Sequence, residues 1–161
     1  MEIAVIGAGA VGGWFGGNLV RAGHDVVFVA RGGTLDVLRA EGLRLNGGAP
    51  ITVRAVGDLS EAGTPDVVLL AVKATADTDF AALLEGLPDS AVVAVTQNSV
   101  EVPARVAEVV GRQRTLPGVV RGYFHHTGPG QIEFHGGPIS HTIGTWDGRR
   151  HDVVDRFAAA L

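Results

Sequence analysis

The sequence predicts an α/β fold of the doubly wound type, with a mainly parallel sheet that is covered by helices on both faces. Four short apolar runs, each typical of a strand buried on both faces, alternate with helix-like segments. A glycine-rich turn joins the first strand to the first helix. The 161 residues, of which 46% are hydrophobic, suffice for one domain with a core and are too few for two ordinary domains.

The first strand is predicted over residues 3–6, and a helix is predicted over residues 11–22. Between them Gly7, Gly9 and Gly12 have the spacing G-x-G-x-x-G. The first glycine makes the tight turn, the second lets the backbone approach a pyrophosphate, and the third lets helix and strand pack closely. A turn that binds nothing is disfavoured, because the motif lies directly between a strand and a helix. The residues predicted to bind a dinucleotide are Gly7, Ala8, Gly9, Ala10, Val11 and Gly12.

Arg31 follows the second strand, which is predicted over residues 25–30. At this point a dinucleotide-binding domain meets the adenosine ribose, where an acidic residue favours NAD and an arginine accommodates the 2′-phosphate of NADP. The nearby acid, Asp36, falls inside the next predicted helix, over residues 34–41. The sequence therefore predicts NADP(H) as the cofactor.

A small hairpin is predicted next. Residues 43–45 and 51–56 are expected to form two short strands on either side of a turn at Asn46-Gly47-Gly48. This departs from a simple alternation of strands and helices, and we expect an excursion at the edge of the sheet.

Lys73 follows the third buried strand, predicted over residues 67–72, and a helix is predicted over residues 77–84. It is the only lysine among 13 lysine and arginine residues. Because arginine serves elsewhere, a compact and flexible ammonium at this place indicates a role in holding or polarising a substrate.

Gln97 and Asn98 follow the fourth buried strand, predicted over residues 91–95, and a helix is predicted over residues 102–110. The carboxyl ends of parallel strands meet at one edge of a sheet, where the ligand of such a fold lies. The glycine turn, Arg31, Lys73 and this pair are therefore expected to converge. The amide of Asn98 suits the nicotinamide ribose or a carbonyl oxygen.

The last third of the chain is predicted to contain short antiparallel strands that complete the sheet, over residues 116–124, 131–135 and 139–143. A helix predicted over residues 152–161 reaches the last residue without a C-terminal cap. We therefore expect one dinucleotide-binding domain over residues 1–161, truncated at its C-terminal end.

The amino-acid composition argues against several classes of protein and site. The chain has no cysteine, which excludes disulfides and thiolate chemistry, and no apolar run approaches the length of a membrane span. No basic stripe indicates nucleic acid, and the expected location is the cytoplasm. No metal is predicted, because the spacing of the histidines is poor for a metal site and surface positions explain them better. These histidines are His125, His126, His135 and His141.

Several of these motifs together resemble the N-terminal, Rossmann-type domain of ketopantoate reductases (2-dehydropantoate 2-reductases). They are residues 1–17, Arg31, Val72-Lys73-Ala74, Gln97-Asn98-Ser99-Val100 and residues 128–135. The resemblance implies NADPH-dependent reduction of 2-dehydropantoate to pantoate, in pantothenate and coenzyme A biosynthesis.

The resemblance also implies roles for single residues. The glycine turn would bind the pyrophosphate and Arg31 the 2′-phosphate. Lys73 and Asn98 would lie beside the nicotinamide and the substrate, where they would position and polarise. The other residues implied in the cofactor cleft are Val72, Gln97 and, through its backbone, His126.

Two departures from the family pattern matter. Ser99 stands where the family usually has glycine. Family members also carry a second, helical domain that supplies the general-acid lysine and a substrate-binding acid, and that domain is absent from these 161 residues. We therefore expect little activity from this chain alone, and self-association, as a homodimer, through the face left by that domain.

Three other functions stay open at this point. One is the NADP-dependent reduction of a different 2-oxo acid, since nothing in the sequence specifies the acid. Another is a different reductase, such as a hydroxyacid or glycerol-phosphate dehydrogenase, although Val72-Lys73-Ala74 and Gln97-Asn98 argue against it. The third is a dinucleotide-sensing module without chemistry. Lys73 and Asn98 argue against the sensor, because a sensor needs no reaction site.

Overall fold

The computed structural model describes residues 1–149 and 151–161. In chain order the strands and helices are β1 (Glu2–Ile6), α1 (Ala10–Arg21), β2 (Asp25–Val29), α2 (Gly32–Ala40), β3 (Arg44–Leu45), β4 (Arg54–Val56), β5 (Val67–Leu70), α3 (Phe80–Leu83), β6 (Val92–Val95), α4 (Glu101–Val110), β7 (Thr115–Leu116), β8 (Gly118–Arg121), β9 (Phe124–Gly128), β10 (Gln131–Phe134), β11 (Ser140–Ile143) and α5 (Asp152–Ala160). Short 3₁₀ turns lie at Leu59–Glu61 and Arg112–Arg114.

The main sheet of the described residues has six strands in the order β4-β2-β1-β5-β6-β7, and all neighbours run parallel. Numbered along the chain, this is the order 3-2-1-4-5-6 of the Rossmann fold. The predicted doubly wound, mainly parallel fold is therefore confirmed.

Both faces of the main sheet are covered. Val5 of β1 belongs to a buried cluster that includes Phe15 of α1. Its neighbour Ile6 faces the other side, in a cluster with Phe80 of α3 and Val106 of α4. Burial on both faces explains why the central strands are continuous apolar runs rather than alternating ones.

Helix α1 lies between the main sheet and a small second sheet of order β3-β10-β9. A Cβ at Gly16 would come 2.6 Å from the ring of Phe28 in β2, and a Cβ at Gly13 would come 2.6 Å from the side chain of Ile132 in β10. Glycine lowers helix stability by about 1 kcal/mol relative to alanine. In α1, glycine is needed at these positions because a sheet approaches the helix closely on each side.

The predicted hairpin between residues 43 and 56 is present only in part. Leu43 and Ile51 exchange two backbone hydrogen bonds across a turn in which Asn46 has positive φ. However, β3 pairs with β10, and β4 pairs parallel with β2. The expectation of an excursion is wrong for residues 54–56, because their backbone bonds to β2 and forms the third strand of the main sheet.

The predicted antiparallel strands exist, but they do not complete the main sheet. Strand β7 joins that sheet parallel to β6, whereas β8 pairs with β11 and β9 pairs with β10 in separate small sheets. The strand predicted over residues 116–124 is interrupted at Pro117, which lacks an N–H donor, and at Gly122, which has a φ of 148°.

The helix predicted over residues 77–84 is shorter than expected. It begins after Asp79, whose carboxylate accepts a hydrogen bond from the Ala82 N–H at 3.0 Å. The residues before Asp79 form an exposed loop instead of a first helical turn. In the part of the chain that the structure describes, no helix is both long and apolar enough to cross a membrane.

Candidate functional site

Five parallel strands end side by side at one edge of the main sheet. Ile6 pairs with Val29 and with Leu70, while Val29 pairs with Val56 and Leu70 pairs with Val95. We call the edge formed by the segments that follow these residues the rim. The segments of the rim are residues 7–9, 30–31, 57–58, 71–73 and 96–98.

The glycine turn has a different constraint at each glycine. Gly7 leaves β1 with a φ of 98°, and its N–H donates to the carbonyl of Val29 at 3.0 Å. A Cβ at Gly12 would overlap the carbonyl oxygen of Gly7 and lie 2.9 Å from the Cβ of Ala71. A Cβ at Gly9 would meet no atom within 4 Å. Two glycines therefore serve the fold, and the third leaves open space above the backbone.

The first turn of α1 presents backbone N–H groups to that space. Gly9 is the N-cap, no side chain caps the helix, and no acidic side chain lies in the first turn. The N–H of Gly13 donates to the carbonyl of Gly9 at 2.7 Å, which is the first bond of the helix ladder. The N–H groups of the preceding turn and the positive end of the helix dipole can therefore bind an anion.

A cavity of about 320 Å³ opens beside the glycine turn. Its lining includes these residues of the predicted site: Gly7, Ala8, Gly9, Arg31, Val72 and His126. Leu59, Ala82 and Leu83 add apolar walls. A backbone N–H cradle, a cation and an apolar slot together suit a phosphorylated ligand that carries a ring system.

Arg31 is the N-cap residue of α2, and its exposed side chain lines this cavity. Asp58 lines the same cavity, and its carboxylate accepts a hydrogen bond from the Ser60 N–H at 2.9 Å. Bonding to the backbone and hydroxyl of Ser60, aided by the charge of Arg31, holds the pKa of Asp58 below its ordinary value. The structure gives Arg31 neither a hydrogen bond nor an ion pair within 4 Å among the described residues.

Lys73 is exposed and makes no hydrogen bond or ion pair with any other described residue. It lines neither of the two cavities at the rim but lies between them in the chain. Val72 lines the first cavity, and Ala74 lines a second one of about 380 Å³. The ammonium is therefore free to meet a ligand at the rim.

Gln97 and Asn98 line the second cavity and not the first. The side-chain Nε2 of Gln97 donates to the carbonyl of Val72 at 2.6 Å, and its Oε1 is buried with no partner among the described residues. The amide of Asn98 donates to the carbonyl of Val120 at 2.8 Å and accepts from the Val120 N–H at 2.7 Å. Asn98 thus connects the end of β6 to β8, and one N–H and one lone pair of its amide remain for a ligand.

The histidines do not share one environment. His126 lies on β9 and lines the first cavity. The surface position predicted for His141 is wrong: it is buried on β11 against the rings of Phe15 and Phe157, with Nε2 3.3 Å from the carbonyl of Val95. Burial lowers the pKa of His141, and the bond to Val95 opposes this only in part. Within the described residues, no three histidine or acidic side chains are arranged to hold a metal ion.

Sequence reasoning missed several residues of the first cavity. Asp58 and Leu59 follow β4, and Ala82 and Leu83 belong to α3. Asp58 could have been found by the rule that ligands lie beyond the carboxyl ends of strands, had β4 been recognised as a strand of the main sheet. Nothing in the local sequence of α3 marks Ala82 and Leu83 as residues of a binding cavity.

Comparison with known proteins identifies the family of this chain. Residues 3–148 match the family model described as ketopantoate reductase PanE/ApbA. The chain belongs to the ketopantoate reductase family. This family consists of NAD(P)-dependent oxidoreductases, and the resemblance inferred from the sequence motifs is confirmed.

Curated relatives carry the same family name. The 2-dehydropantoate 2-reductase of Archaeoglobus fulgidus is 32% identical over 166 residues, which cover 99% of this chain and 52% of that protein. The corresponding protein of Pyrococcus horikoshii is 26% identical over 156 residues, which cover 96% of this chain and 51% of that protein. This chain spans about half the length of these curated relatives.

Solved structures agree with the fold. A 2-dehydropantoate 2-reductase from Geobacter metallireducens matches with a TM-score of 0.89 at 25% identity, over 99% of this chain and 54% of that one. A PanE/ApbA family ketopantoate reductase from Ralstonia eutropha matches with a TM-score of 0.83 at 34% identity, over 99% of this chain and 53% of that one. A D-mandelate dehydrogenase solved with NADH has a TM-score of 0.81 at 21% identity, and shares the fold.

Proposed function

We propose that this chain is the NADPH-binding part of an enzyme that reduces 2-dehydropantoate (ketopantoate) to pantoate, in the cytoplasmic synthesis of pantothenate and coenzyme A. The observation that carries the proposal is the position of Arg31. Its guanidinium lies at the end of β2, in the cavity beside the glycine turn, with no ion-pair partner within 4 Å among the described residues. An arginine at this place favours a 2′-phosphate, which it can bind through two parallel hydrogen bonds.

The residues present fit such a cofactor. The open space above Gly9 admits a pyrophosphate, and the N–H groups of residues 10–12 would donate to it. Arg31 would bind the 2′-phosphate. His126 and Val72 would line the cleft. NADPH, when bound, supplies a hydride to the carbonyl carbon of a 2-oxo acid.

Lys73 and Asn98 would act at the substrate end of the cleft. The ammonium of Lys73 would hold the substrate carboxylate or polarise its carbonyl oxygen. The remaining N–H of Asn98 would donate to a hydroxyl or carbonyl, while its bonds to Val120 keep the amide fixed. Proton donation to the carbonyl oxygen would fall to the lysine that the family resemblance assigns to a second domain.

Titration calorimetry of NADPH and of NADH into the 161-residue chain tests the cofactor. We expect NADPH to bind more tightly than NADH. In Arg31→Ala, NADPH affinity falls roughly 10- to 100-fold, because a hydrogen-bonded charge pair is lost. NADH affinity stays nearly unchanged, since NADH has no 2′-phosphate.

Arg21→Ala is the matched control. Arg21 is an exposed arginine in the last turn of α1, and the opposite end of this helix faces the cavity. This variant should bind NADPH like the unchanged chain. Equal affinity for the two cofactors, or equal losses in the Arg31 and Arg21 variants, contradicts the proposed role of Arg31.

Turnover measurements test both the substrate and the need for a second domain. With NADPH and ketopantoate, we expect the chain alone to turn over more slowly than about 1 per second. The carbonyl must be held near the nicotinamide while a proton donor meets the developing alkoxide. Faster turnover contradicts the proposal that a second domain must supply the proton donor. If the chain reduces another 2-oxo acid faster than ketopantoate, that acid is the substrate instead.

We also propose that the chain self-associates as a homodimer. Val100, Val119 and Tyr123 are exposed by 94%, 53% and 68%. They come from segments that meet where Asn98 bonds to Val120. Light scattering should give the mass of a dimer. The triple variant Val100→Ser, Val119→Ser, Tyr123→Ser should be monomeric. A monomeric unchanged chain at high concentration contradicts this proposal.

A further inference from the structure

The segment between β5 and α3, residues 73–79, carries Lys73 along the rim. We call it the Lys73 loop. It is largely exposed, and its own hydrogen bonds are local: the Thr78 N–H donates to the carbonyl of Thr75 at 3.1 Å, and the Thr75 N–H donates to the hydroxyl of Thr78 at 2.8 Å. These bonds define a turn but do not connect it to the rest of the domain.

Arg105 of α4 provides that connection. Its Nη1 donates to the carbonyl of Thr75 at 3.0 Å. Its Nη2 donates to the carbonyls of Ala76 at 3.1 Å and Thr78 at 2.7 Å. Three carbonyls of one loop thus converge on one guanidinium that is far from them in sequence.

The guanidinium itself is fixed in place. It is half-buried and lies over the ring of Phe80, 4.8 Å from the ring centroid, at the point where the loop enters α3. No carboxylate of the described residues lies within 4 Å of it. The charge of Arg105 is therefore directed at the loop carbonyls. A lysine could not replace it, because the planar guanidinium offers several donors in a fixed geometry and an ammonium does not.

The other end of the loop is fixed from the same side. Gln97 donates to the carbonyl of Val72, the residue before Lys73, at 2.6 Å. Both Gln97 and Arg105 belong to the segment from β6 to α4, which also carries Asn98. The backbone on both sides of Lys73 is therefore fixed to the segment that presents Asn98.

We propose that Arg105 is a positioning residue, which holds the Lys73 loop against α4 so that the Lys73 ammonium meets the nicotinamide end of the cofactor. Arg105 also lines the second cavity with Gln97 and Asn98, and in this proposal its effect on NADPH binding passes through Lys73. The part of this inference that concerns the cofactor rests on the proposed function, and the part that concerns the loop does not.

A double-mutant cycle with calorimetry tests the effect on the cofactor. Arg105→Ala should weaken NADPH binding roughly three- to tenfold, a coupling typical of residues in one network. In a Lys73→Ala background, the same substitution should have no further effect. Arg105→Lys should not restore affinity. Additive losses in the two backgrounds, or rescue by lysine, overturn the proposal.

Arg114→Ala is the matched control. Arg114 also donates to loop carbonyls, those of Pro88 and Ala91, but this loop leads into β6 at the edge of the sheet opposite the rim. We expect Arg114→Ala to lower the melting temperature about as much as Arg105→Ala while NADPH affinity stays unchanged. An equal loss of affinity in both variants would reduce Arg105 to a structural residue and overturn the proposal.

Amide hydrogen exchange tests the loop without any cofactor. Arg105→Ala should speed exchange in residues 75–78 and not in residues 88–91, and Arg114→Ala should do the reverse. Unchanged exchange in residues 75–78 overturns the positioning role. If the unchanged chain binds neither cofactor, the proposed function fails, and the exchange result alone decides whether Arg105 holds the loop.

Discussion

At the scale of single residues, the glycine turn separates the needs of folding from the needs of binding. A Cβ at Gly12 collides with the turn itself, whereas a Cβ at Gly9 points into open space. Both glycines belong to the same motif, whose pattern predicts close packing for Gly12 and room for a pyrophosphate at Gly9. The surroundings of Gly12 show that it serves the fold, and we propose that the open space above Gly9 admits the ligand.

A pair of alanine substitutions tests this separation. Gly12→Ala should destabilise the chain by about 3 kcal/mol or more, because the new methyl group overlaps the carbonyl of Gly7. Gly9→Ala should cost at most about 1 kcal/mol, the scale of an N-cap change. It should nevertheless weaken NADPH binding roughly tenfold or more, since the methyl group fills the space of the pyrophosphate. Urea unfolding and calorimetry measure both effects, and a stable Gly12→Ala variant contradicts the assignment.

The buried His141 should make the stability of the folded chain depend on pH. Burial lowers its pKa below the ordinary value of 6.5, so the unfolded chain binds the proton more tightly than the folded one. Its stabilising contribution is complete above about pH 6.5, where the ring is neutral in both states. As the pH falls below 6.5 toward the lower folded pKa, that contribution is lost.

Urea unfolding at pH 7.5 and pH 5.5 measures this dependence. The unchanged chain should lose stability between the two values, and His141→Gln should lose less. The control is His125→Gln, which changes an exposed histidine on β9 and should keep the original dependence. Identical pH dependence in the unchanged chain and His141→Gln contradicts the assigned cause.

At the scale of elements, α1 is a helix whose sequence is poor for helix formation and whose place requires that sequence. Sheets on both sides approach the glycines of α1 closely. The position of its N-terminus, and so of the N–H groups that we propose bind the pyrophosphate, depends on this packing.

The same substitution in two helices tests the packing of α1. Gly16→Ala should destabilise the chain by about 1–3 kcal/mol, because the new Cβ would lie 2.6 Å from the buried ring of Phe28. Gly33→Ala in α2 meets no atom within 4 Å and should stabilise by about 0.4–1 kcal/mol. Thermal or urea unfolding gives the sign. Stabilisation by both would mean that α1 has room on its sheet-facing side.

Local signals in the sequence predicted several of the residues that line the candidate site. The glycine turn and Arg31 are defined by spacing along the chain, and the strand pattern was enough to predict that Lys73 and Asn98 follow neighbouring strand ends. Asp58 and Arg105 were missed, because their roles depend on partners that only the fold brings near. Arg105 contacts carbonyls 27 to 30 positions away.

Strand β4 shows the same limit at the level of elements. Leu43 and Ile51 do pair across their turn, which is the contact that the local sequence predicts. Residues 54–56 then pair parallel with β2 instead of continuing the hairpin. Pairing of this kind depends on the register between distant segments, which local turn signals do not encode.

At the scale of the whole molecule, we propose that a dinucleotide lies along one rim of the main sheet. The strand order 3-2-1-4-5-6 brings the glycine turn, Arg31 and Lys73 to this rim. The family match and the solved relatives agree with this architecture over nearly the whole chain. The rim is therefore the place where we expect the cofactor to bind.

The most direct test of this cofactor location is an amide NMR titration of the 161-residue chain with NADPH. We predict the largest shift changes in residues 7–12, at Arg31, and in residues 72–73, all on the rim. Residues 112–114, which precede β7 at the opposite edge, should not change. Shift changes centred on residues 112–114, or none at saturating NADPH, would contradict a cofactor site on the rim.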